Sequence, residues 1–351
     1  MSSKTSSKKL VGVIGAGSFG TAIANILAEK SNVLLYVRDE NKAKEIATTR
    51  VSSSQKIEEN IEITTNLADI GNRCEIIFPI VPSANFRTMI RKLAPYLKPY
   101  HVLIHGTKGL DLNIPEGEVL SKENPLSRKY VRTMSEVILE ETSVLRVGCL
   151  AGPNLAREIQ ERQPAATVVA SHFEEVIDEG QKLLKNDRFM VYGSNDLIGI
   201  EFCGVLKNII AIGSGAVSGM GLGENTRSLL ISRGMVEMIH IGNALGGNTK
   251  AFIGLAGVGD LIATCSSSLS RNYTVGYRLA KGETIDEIKA SMEEVAEGIN
   301  TTIIIKQLAD SLNIRVPITE TLHKIIHGKM TMAESHTYFM KFPFRAEIDF
   351  I

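Results

Sequence analysis

Residues 10–20 read LVGVIGAGSFG, a short apolar run that opens directly into a glycine-rich turn. A helical pattern over residues 21–30 and a second apolar run over residues 33–37 follow it. Strand, glycine turn, helix and strand in this order form the β-α-β frame in which a G-x-G-x-x-G motif is typical of dinucleotide binding, and a glycine turn for packing alone is the less favoured alternative. The glycines make the turn, let the backbone approach a pyrophosphate and let the helix pack against the strand. The glycines predicted to bind a dinucleotide are therefore Gly15, Gly17 and Gly20.

The end of the second apolar run bears on the choice of dinucleotide. Where an NAD site usually has an acidic residue, this chain has Arg38 followed by Asp39. Arg38 suits a 2′-phosphate and Asp39 suits a ribose hydroxyl, so NAD and NADP both stay open.

Further apolar runs alternate with helical or loop segments, which predicts an α/β fold with a Rossmann-type, doubly wound, mostly parallel sheet. These runs cover residues 76–80, 102–105, 146–150, 166–170 and 189–192. Ligands in such sheets bind at the carboxyl ends of the strands.

Beyond Tyr192 the strand signals stop and the pattern becomes helical with glycine breaks. The predicted helices cover residues 196–217, 225–245, 248–264, 270–281, 297–312 and 317–327. We therefore expect a dinucleotide-binding Rossmann domain over residues 10–193 and an all-helical, substrate-binding domain over residues 194–351. The polar residues 1–9 are expected to form a disordered tail.

Composition limits the classes of partner. The 351 residues carry 39 basic and 39 acidic side chains, so no overall field attracts nucleic acid. We find no apolar run as long as a membrane span. The four cysteines are dispersed and form no C-x-x-C pair, which suits free thiols in a reducing cytoplasm. His323 and His327 stand at helical spacing without the acid of an H-E-x-x-H zinc site, so we assign them a structural or surface role.

Residues 254–272, GLAGVGDLIATCSSSLSRN, place one carboxylate beside groups that suit an oxyanion. Ser270 as the cap of a helix would add free N–H groups to the donors of Arg271 and Asn272. A simple cap and a solvated charge are the alternative for Ser-Arg-Asn alone. The cluster, with Asp260 nearby, predicts a phosphate site.

Three other segments carry candidate functional side chains. Lys207 lies in an apolar helical pattern, where burial would lower its pKa and suit it to proton transfer, and a structural ion pair is an equal competitor. Lys108 follows a predicted strand, which places its ammonium group where it could face the ligand cleft. The structural alternative is a solvated surface lysine, since most lysines are solvated. Asn154 is predicted to cap a helix over residues 155–161. Residues 213–223 are glycine-rich and predict either a loop or close helix packing.

These motifs in this order resemble the NAD(P)-dependent glycerol-3-phosphate dehydrogenases over nearly the whole chain. The shared pattern is a glycine fingerprint, a T-K-G turn, an A-G-P turn, a G-x-x-K-N helix, and G-L-A-G-x-G-D followed by S-R-N. The resemblance implies that Lys207 is the catalytic acid/base. It implies substrate binding by Lys108, Gly152, Asn154, Lys207, Asp260, Ser270, Arg271 and Asn272. For the cofactor it implies Ser18, Phe19, Arg38, Lys108, Ala156, Arg271, Val295 and Glu297 beside the three glycines.

The resemblance also implies the reaction. Dihydroxyacetone phosphate accepts a hydride from NADH or NADPH at C2 and becomes sn-glycerol 3-phosphate, which the cytoplasm uses for phospholipid synthesis. Lys207 and Lys108 would stabilise the developing oxyanion, while Arg271 and Asn272 would hold the phosphate. No metal is required, and a homodimer is left open.

Two alternatives predict different behaviour. A β-hydroxyacid dehydrogenase shares the domain pattern and the lysine, but its G-x-x-x-K-x-x-x-N pattern would need asparagine where this chain has Ala211. A redox sensor would bind dinucleotide without turnover, and it gives no reason for the two lysines, Asp260 and Ser-Arg-Asn to occur together.

Overall fold

The structure is a computed structural model that describes residues 9–121, 124–292 and 296–341. Residues 1–8 of the predicted tail lie outside this part of the chain. The described residues divide into two compact units. The first takes its residues from Met1–Thr107, Met134–Leu150 and Asn154–Leu197, and the second from Lys108–Thr133, Ala151–Pro153 and Ile198–Ile351.

The strands of the described residues are, in chain order, β1 (Leu10–Ile14), β2 (Asn32–Tyr36), β3 (Val51–Ser52), β4 (Gln55–Lys56), β5 (Ile61–Thr64), β6 (Ile76–Pro79), β7 (Val102–His105), β8 (Asp111–Leu112), β9 (Val131–Arg132), β10 (Arg146–Ala151), β11 (Ala165–Ser171) and β12 (Phe189–Ser194). Eight of them form one sheet in the order β12-β11-β10-β7-β6-β1-β2-β5. The pairs β3·β4 and β8·β9 are short antiparallel ribbons.

The α-helices are α1 (Ser18–Ala28), α2 (Glu40–Thr49), α3 (Leu67–Arg73), α4 (Ser83–Leu93), α5 (Met134–Glu141), α6 (Ala156–Gln160), α7 (Glu174–Leu184), α8 (Leu197–Gly219), α9 (Glu224–Ala244), α10 (Thr249–Ile253), α11 (Asp260–Ser266), α12 (Arg271–Ala280), α13 (Ile285–Ser291), α14 (Glu297–Ser311), α15 (Pro317–Ile326) and α16 (Met332–Lys341). From Ile198 onward, the described residues form helices and connecting turns with no strand. The predicted doubly wound sheet and helical C-terminal region are confirmed.

The order of strands reverses at β1. The chain runs outward from β1 through β2 to β5, then returns to pair β6 with the other side of β1, and all of these pairings are parallel. Ligands of such sheets bind outside the carboxyl ends of the strands at this reversal. The glycine turn stands there, directly after β1.

Successive side chains of the strands point to opposite faces of the sheet and pack into two apolar layers of the first unit. Val11 and Val13 of β1 pack on one face with α1, while Ile14 packs on the other with Ile70 and Phe86. Both layers are needed because helices cover both faces of a parallel sheet. This two-sided burial holds β1, and therefore the turn that follows it, in place.

The structure adds elements that the sequence analysis missed. β5 and the β3–β4 ribbon lie in a stretch too short and polar to signal strands. The predicted helix over residues 248–264 is in fact three segments, because Leu255–Gly259 forms a π-helical turn between α10 and α11. A Cβ on Gly257 would lie 1.9 Å from the carbonyl oxygen of Phe252, so this turn requires glycine.

The glycine-rich segment 213–223 proves to be mainly a packing surface. Helix α8 continues to Gly219, and only the last residues form a turn before α9. A Cβ on Gly215 would lie 1.9 Å from the carbonyl oxygen of Tyr273, and one on Gly276 would lie 1.7 Å from that of Ile212. The backbones of α8 and α12 therefore touch, which brings the start of α12 close to α8.

The expectation that no apolar run is as long as a membrane span is wrong for α8. This helix has 23 residues and is long and apolar enough to cross a membrane by length and composition. However, 94% of its most apolar window is buried inside the protein. This burial is what a core helix requires, since a helix that is apolar on all sides must be covered on all sides.

Candidate active site

The glycine turn of the first unit has the geometry that a dinucleotide requires. Gly15 has a φ of +119°, and its N–H donates to the carbonyl oxygen of Tyr36 at 3.2 Å. A Cβ on Gly15 would lie 2.1 Å from the carbonyl oxygen of Ile80, and one on Gly20 would lie 2.0 Å from that of Gly15. These two positions accept only glycine, and exposed Gly17 between them presents bare backbone.

The start of helix α1 suits a pyrophosphate. Gly17 is its N-cap residue, and within the described part of the chain no side chain caps this end. The first-turn N–H groups have no intrahelical acceptor, and the helix dipole places a partial positive charge there. The turn therefore fits the phosphates of NAD or NADP, with Ser18 and Phe19 as the first helical residues.

The two residues predicted to select between NAD and NADP have different surroundings. Asp39 is the N-cap of α2, and its carboxylate accepts from the backbone N–H of Lys42 at 2.7 Å. Arg38 is exposed. Its charge opposes the rise that partial burial causes in the pKa of Tyr36, so its guanidinium lies near the end of β2. Ala156, another predicted cofactor residue of this unit, is the first residue of α6.

The second unit brings three predicted residues together around one carboxylate. Nζ of Lys207 lies 2.6 Å from Oδ1 of Asp260, and Nζ of Lys108 lies 2.7 Å from Oδ2. Nζ of Lys108 also donates to the carbonyl oxygen of Gly152 at 3.1 Å. The side chains of Lys207 and Asp260 are 7% and 2% exposed, and that of Lys108 is 20% exposed. Lys207, Asp260 and Lys108 therefore form a compact, largely buried cluster of charged side chains.

Thr264 completes this cluster, and the sequence analysis did not predict it. Its Oγ1 accepts from Nζ of Lys207 at 2.5 Å and donates to the carbonyl oxygen of Asp260 at 2.6 Å. Thr264 follows Asp260 by four residues on α11, so both side chains lie on the same face of the helix. The spacing D-x-x-x-T was the available signal.

Local packing explains why the two lysines meet. Lys207 is carried by α8 among Leu206, Ile209 and Ile210, which are all buried. A Cβ on Gly204 would lie 3.3 Å from Cγ of Lys108, so the glycine of the G-x-x-K-N pattern leaves space for the second lysine. The π-helical turn ends at Gly259, so Asp260 is the first residue of α11 and its carboxylate lies between the two ammonium groups.

The electrostatics of the cluster favour proton exchange at Lys207. Burial lowers its pKa, the carboxylate of Asp260 opposes that effect, and the charge of Lys108 adds to it, with a resulting pKa of about 8. Burial alone would raise the pKa of Asp260, but the charges and hydrogen bonds of the two lysines lower it below its ordinary value. Asp260 therefore stays ionised while Lys207 titrates near neutrality.

The predicted oxyanion cluster stands at the start of α12. Ser270 is the N-cap, as predicted, and its Oγ accepts from the N–H of Tyr273 at 3.3 Å. Exposed Arg271 is the first helical residue. Oδ1 of buried Asn272 accepts from the N–H of Gly298 at 2.9 Å, which ties α12 to α14. A Cβ on Gly298 would also lie 2.8 Å from the carbonyl oxygen of Asn208, so this junction adjoins the helix that carries Lys207.

The remaining predicted residues have separate surroundings. Glu297 is the first residue of α14 and adjoins the glycine that binds Asn272. Val295 lies outside the described residues. Asn154 does not cap a helix, because α6 begins at Ala156 with Leu155 as its N-cap. Its amide instead donates to the carbonyl oxygen of Ala166 at 3.1 Å and accepts from the hydroxyl of Thr167 at 2.9 Å, so strand β11 engages both of its polar atoms.

The two histidines that resemble metal ligands pair with each other on α15. Their rings lie 4.2 Å apart, and Nδ1 of His327 is 2.8 Å from the carbonyl oxygen of His323. Among the residues that the structure describes, no three His, Cys, Asp or Glu side chains form a group able to hold a metal ion.

Comparisons with known proteins cover nearly the whole chain. The family model for the N-terminus of NAD-dependent glycerol-3-phosphate dehydrogenase matches residues 10–177. The family model for the C-terminus matches residues 196–337. The glycerol-3-phosphate dehydrogenase [NAD(P)+] of Teredinibacter turnerae is 37% identical over 97% of this chain and 96% of its own length. That of Pseudomonas aeruginosa strain LESB58 is 38% identical over 97% of each chain.

A solved structure agrees with these matches. The crystal structure of glycerol-3-phosphate dehydrogenase from Coxiella burnetii superposes with a TM-score of 0.85 at 30% identity, over 95% of this chain and 99% of that one. The family match supports the predicted dehydrogenase rather than the β-hydroxyacid dehydrogenase alternative. The chain therefore belongs to the NAD-dependent glycerol-3-phosphate dehydrogenase family.

Proposed function

We propose that this protein catalyses the reversible reduction of dihydroxyacetone phosphate to sn-glycerol 3-phosphate with NAD(P)H, and that Lys207 is its acid/base. The observation that carries the proposal is the buried cluster in which Lys207 binds Asp260 and Thr264 while Asp260 also binds Lys108. A proton donor with a pKa of about 8 suits a reaction that gives and takes a proton near neutral pH.

Lys207 would protonate the C2 oxygen of the substrate in the direction of reduction. In its charged form it is a hydrogen-bond donor, and Asp260 and Thr264 both accept from Nζ, which restrains the side chain. In the reverse direction the neutral amine would remove the proton from the alcohol. Asp260 serves both directions, because an ionised carboxylate at 2.6 Å keeps the charged form accessible despite burial.

Lys108 would act as a fixed positive charge. Its bonds to Asp260 and to the carbonyl oxygen of Gly152 hold the ammonium group in place. Because two lysines face one carboxylate, the cluster keeps a net positive charge when both lysines are protonated. A preorganised positive charge favours the transition state in which the C2 oxygen becomes negative.

The start of α12 would bind the substrate phosphate. Ser270, Arg271 and Asn272 combine a helix N-terminus with a guanidinium group, which is a strong arrangement for a phosphate dianion. Binding energy from this remote group would orient the carbonyl for reaction. We retain Gly152 and Asn154 as proposed substrate contacts, the second through its backbone, because strand β11 engages its amide.

The proposed cofactor contacts are the glycine turn and the other residues that the sequence analysis named for the dinucleotide. When bound, NADH or NADPH supplies the hydride that is added to C2. In the first unit the proposed contacts are Gly15, Gly17, Ser18, Phe19, Gly20, Arg38 and Ala156. In the second unit they are Lys108, Arg271, Val295 and Glu297.

The cellular role follows from the product. We propose that the enzyme works in the cytoplasm and supplies the glycerol phosphate backbone of phospholipids. Its cysteines Cys74, Cys149, Cys203 and Cys265 are all buried and form no disulfide, which supports a reducing compartment. Sedimentation of the purified chain tests the homodimer that the sequence leaves open.

The test is a spectrophotometric assay of purified protein with dihydroxyacetone phosphate, run with NADH and with NADPH, alongside Lys207→Ala. We expect cofactor oxidation by the wild type and a loss of about a hundredfold or more in the variant. Lys306→Ala, which removes a lysine paired with Asp310 on the same unit, is the matched control and should stay active. A folded wild type that binds cofactor but does not oxidise it would refute the proposal.

A further inference from the structure

The β3–β4 ribbon, which we call the serine hairpin, covers residues 51–56 and contacts the glycine turn. Its two-residue loop is Ser53-Ser54, with φ values of +47° and +62°. A two-residue loop with both φ values positive is normally made by Asn-Gly, because other residues are strained there. Such strain persists only where surrounding contacts over-determine the conformation, and it is concentrated at functional sites.

The contacts of the serine hairpin converge on two carbonyl groups of the glycine turn. The hydroxyls of Ser52 and Ser53 each donate to the carbonyl oxygen of Ala16 at 3.1 Å. Nε2 of Gln55 donates to the carbonyl oxygen of Ser18 at 2.8 Å. Ser52 and Gln55 are 2% and 1% exposed, so these two side chains are shielded from water, while Ser53 is partly buried.

These carbonyl groups determine where two N–H groups point. In a planar trans peptide the C=O and the N–H of the next residue point in opposite directions. Holding the carbonyl of Ala16 towards the hairpin therefore directs the N–H of Gly17 away from it. The same relation links the carbonyl of Ser18 to the N–H of Phe19. Both N–H groups belong to the turn that fits a pyrophosphate.

The serine hairpin is itself anchored on its outer side. The amide of Asn25 on α1 donates to the carbonyl oxygen of Lys56 at 2.9 Å and accepts from the N–H of Glu58 at 3.1 Å. Nε2 of Gln160 on α6 donates to the carbonyl oxygen of Ser54 at 2.9 Å. The hairpin is thus fixed between two helices, and a fixed support can impose an orientation on the loop it touches.

We propose that Ser52, Ser53 and Gln55 are positioning residues for the dinucleotide. They orient the N–H groups of Gly17 and Phe19 towards the pyrophosphate before the cofactor arrives, so that binding does not have to order the turn. This inference rests on the proposed cofactor site at the glycine turn. It assigns a role to a segment that carries no residue of the acid/base cluster.

The test compares Ser52→Ala/Ser53→Ala with Ser54→Ala. The control makes the same change at the neighbouring position with positive φ, where no hydroxyl bond to the glycine turn is lost. The dissociation constant of NADH is measured from its own fluorescence, followed by KM and kcat. Ser52→Ala also removes the acceptor of the Thr21 hydroxyl at 3.1 Å, so Ser53→Ala, which removes only a bond to Ala16, is measured beside the double variant. Removal of the two bonds to Ala16 should raise the dissociation constant and KM for NADH about tenfold, while kcat and KM for dihydroxyacetone phosphate change less than about twofold. Ser54→Ala should bind NADH like the wild type.

Competition experiments locate the effect on the ligand. ADP-ribose contains the pyrophosphate and should lose affinity with NADH, whereas adenosine lacks it and should bind unchanged. Equal losses for both ligands, equal effects of both variants, or an unchanged dissociation constant would overturn the inference. Should the double variant fail to fold, Ser53→Ala alone removes one bond and should weaken NADH about threefold.

The two proposals fail in different ways. A wild type that binds NADH but does not reduce dihydroxyacetone phosphate refutes the proposed reaction, and the binding measurements still decide the role of the hairpin. A wild type that turns over normally, with variants that bind NADH equally well, refutes only the positioning role.

Discussion

Nζ of Lys207 lies 2.6 Å from Oδ1 of Asp260 in the interior of the second unit. Because Oδ2 of the same carboxylate accepts from Lys108, two ammonium groups share one negative charge. Lys207 is the more deeply buried of the two, so its protonated form suffers more from desolvation. Burial therefore lowers the pKa of Lys207 to about 8, although the shared carboxylate opposes that effect, and Lys207 can exchange a proton near neutral pH.

The pH dependence of the two directions should be opposite. In the proposed mechanism reduction needs protonated Lys207, so kcat for reduction should fall as the pH rises through about 8. Oxidation of sn-glycerol 3-phosphate needs the neutral amine and should become faster over the same range. Initial rates in both directions from about pH 6 to about pH 10, with both substrates saturating, test this sign. Parallel profiles would show that another group controls proton transfer.

Asp260→Asn should move this transition to lower pH. Without the carboxylate, burial and the charge of Lys108 both act against protonation of Lys207, so its pKa should fall by about one unit or more. A fall of one unit should lower the rate of reduction about twofold at pH 7, and the loss should approach about tenfold above pH 8, where the protonated fraction of Lys207 limits both enzymes. Thr264→Val is the control, since it removes the hydrogen bonds of the Thr264 hydroxyl and leaves the charges unchanged.

The test of Asp260→Asn is the pH profile of kcat, measured where urea unfolding shows the variant to be folded. Folding must be verified because removal of one partner from a buried ion pair costs about 3–5 kcal/mol. A profile that keeps the wild-type midpoint would separate Asp260 from the pKa of Lys207.

Arg38→Ala should impair the use of NADPH more than that of NADH. Arg38 is exposed at the end of β2, whereas the carboxylate of Asp39 is engaged in capping α2. Loss of a charge-assisted contact to the 2′-phosphate should lower kcat/KM for NADPH by about tenfold or more. Lys42→Ala on the same surface should have little effect on either cofactor. Equal losses with both cofactors would remove Arg38 from the selection of the 2′-phosphate.

Glu237→Gln should remove a pH dependence of stability that is unrelated to catalysis. The carboxylate of Glu237 on α9 is buried and accepts from the N–H groups of Ile318 and Thr319 at the start of α15. Burial raises its pKa to about 7, and these hydrogen bonds oppose the rise. Its stabilising contribution is therefore complete below the unfolded pKa of about 4.5 and is lost as the pH rises through about 7.

Urea unfolding at about pH 5 and about pH 8 measures this effect. The free energy of unfolding of the wild type should fall by about 1 to 3 kcal/mol between the two, relative to Glu237→Gln. Glu320→Gln, a change to a partly exposed carboxylate on α15, should retain most of the wild-type dependence, because its charge is the smallest of the causes that act on the pKa of Glu237. The same slope in Glu237→Gln and wild type would contradict the assignment.

The agreement between sequence and structure depends on how local each signal is. The predicted strands over residues 10–14 and 102–105 match β1 and β7, because buried parallel strands are continuous apolar runs. Ser270 as an N-cap was also predictable, since capping involves residues three positions apart. Asn154 was assigned a cap by the same rule, and the assignment failed because β11 offered its amide a donor and an acceptor.

The amino-acid sequence by itself determined the β-α-β frame, the glycine turn and the order of the motifs, because strand burial, a positive φ and helix capping act over a few neighbouring residues. Only the tertiary structure decided that Lys108, Asp260, Thr264 and Lys207 share one network, although up to 156 positions separate them. It also brought the polar serine hairpin into hydrogen-bond contact with the glycine turn. Such contacts are selected by packing and by the need to pair buried polar groups, and neither constraint is visible in a local pattern of residues.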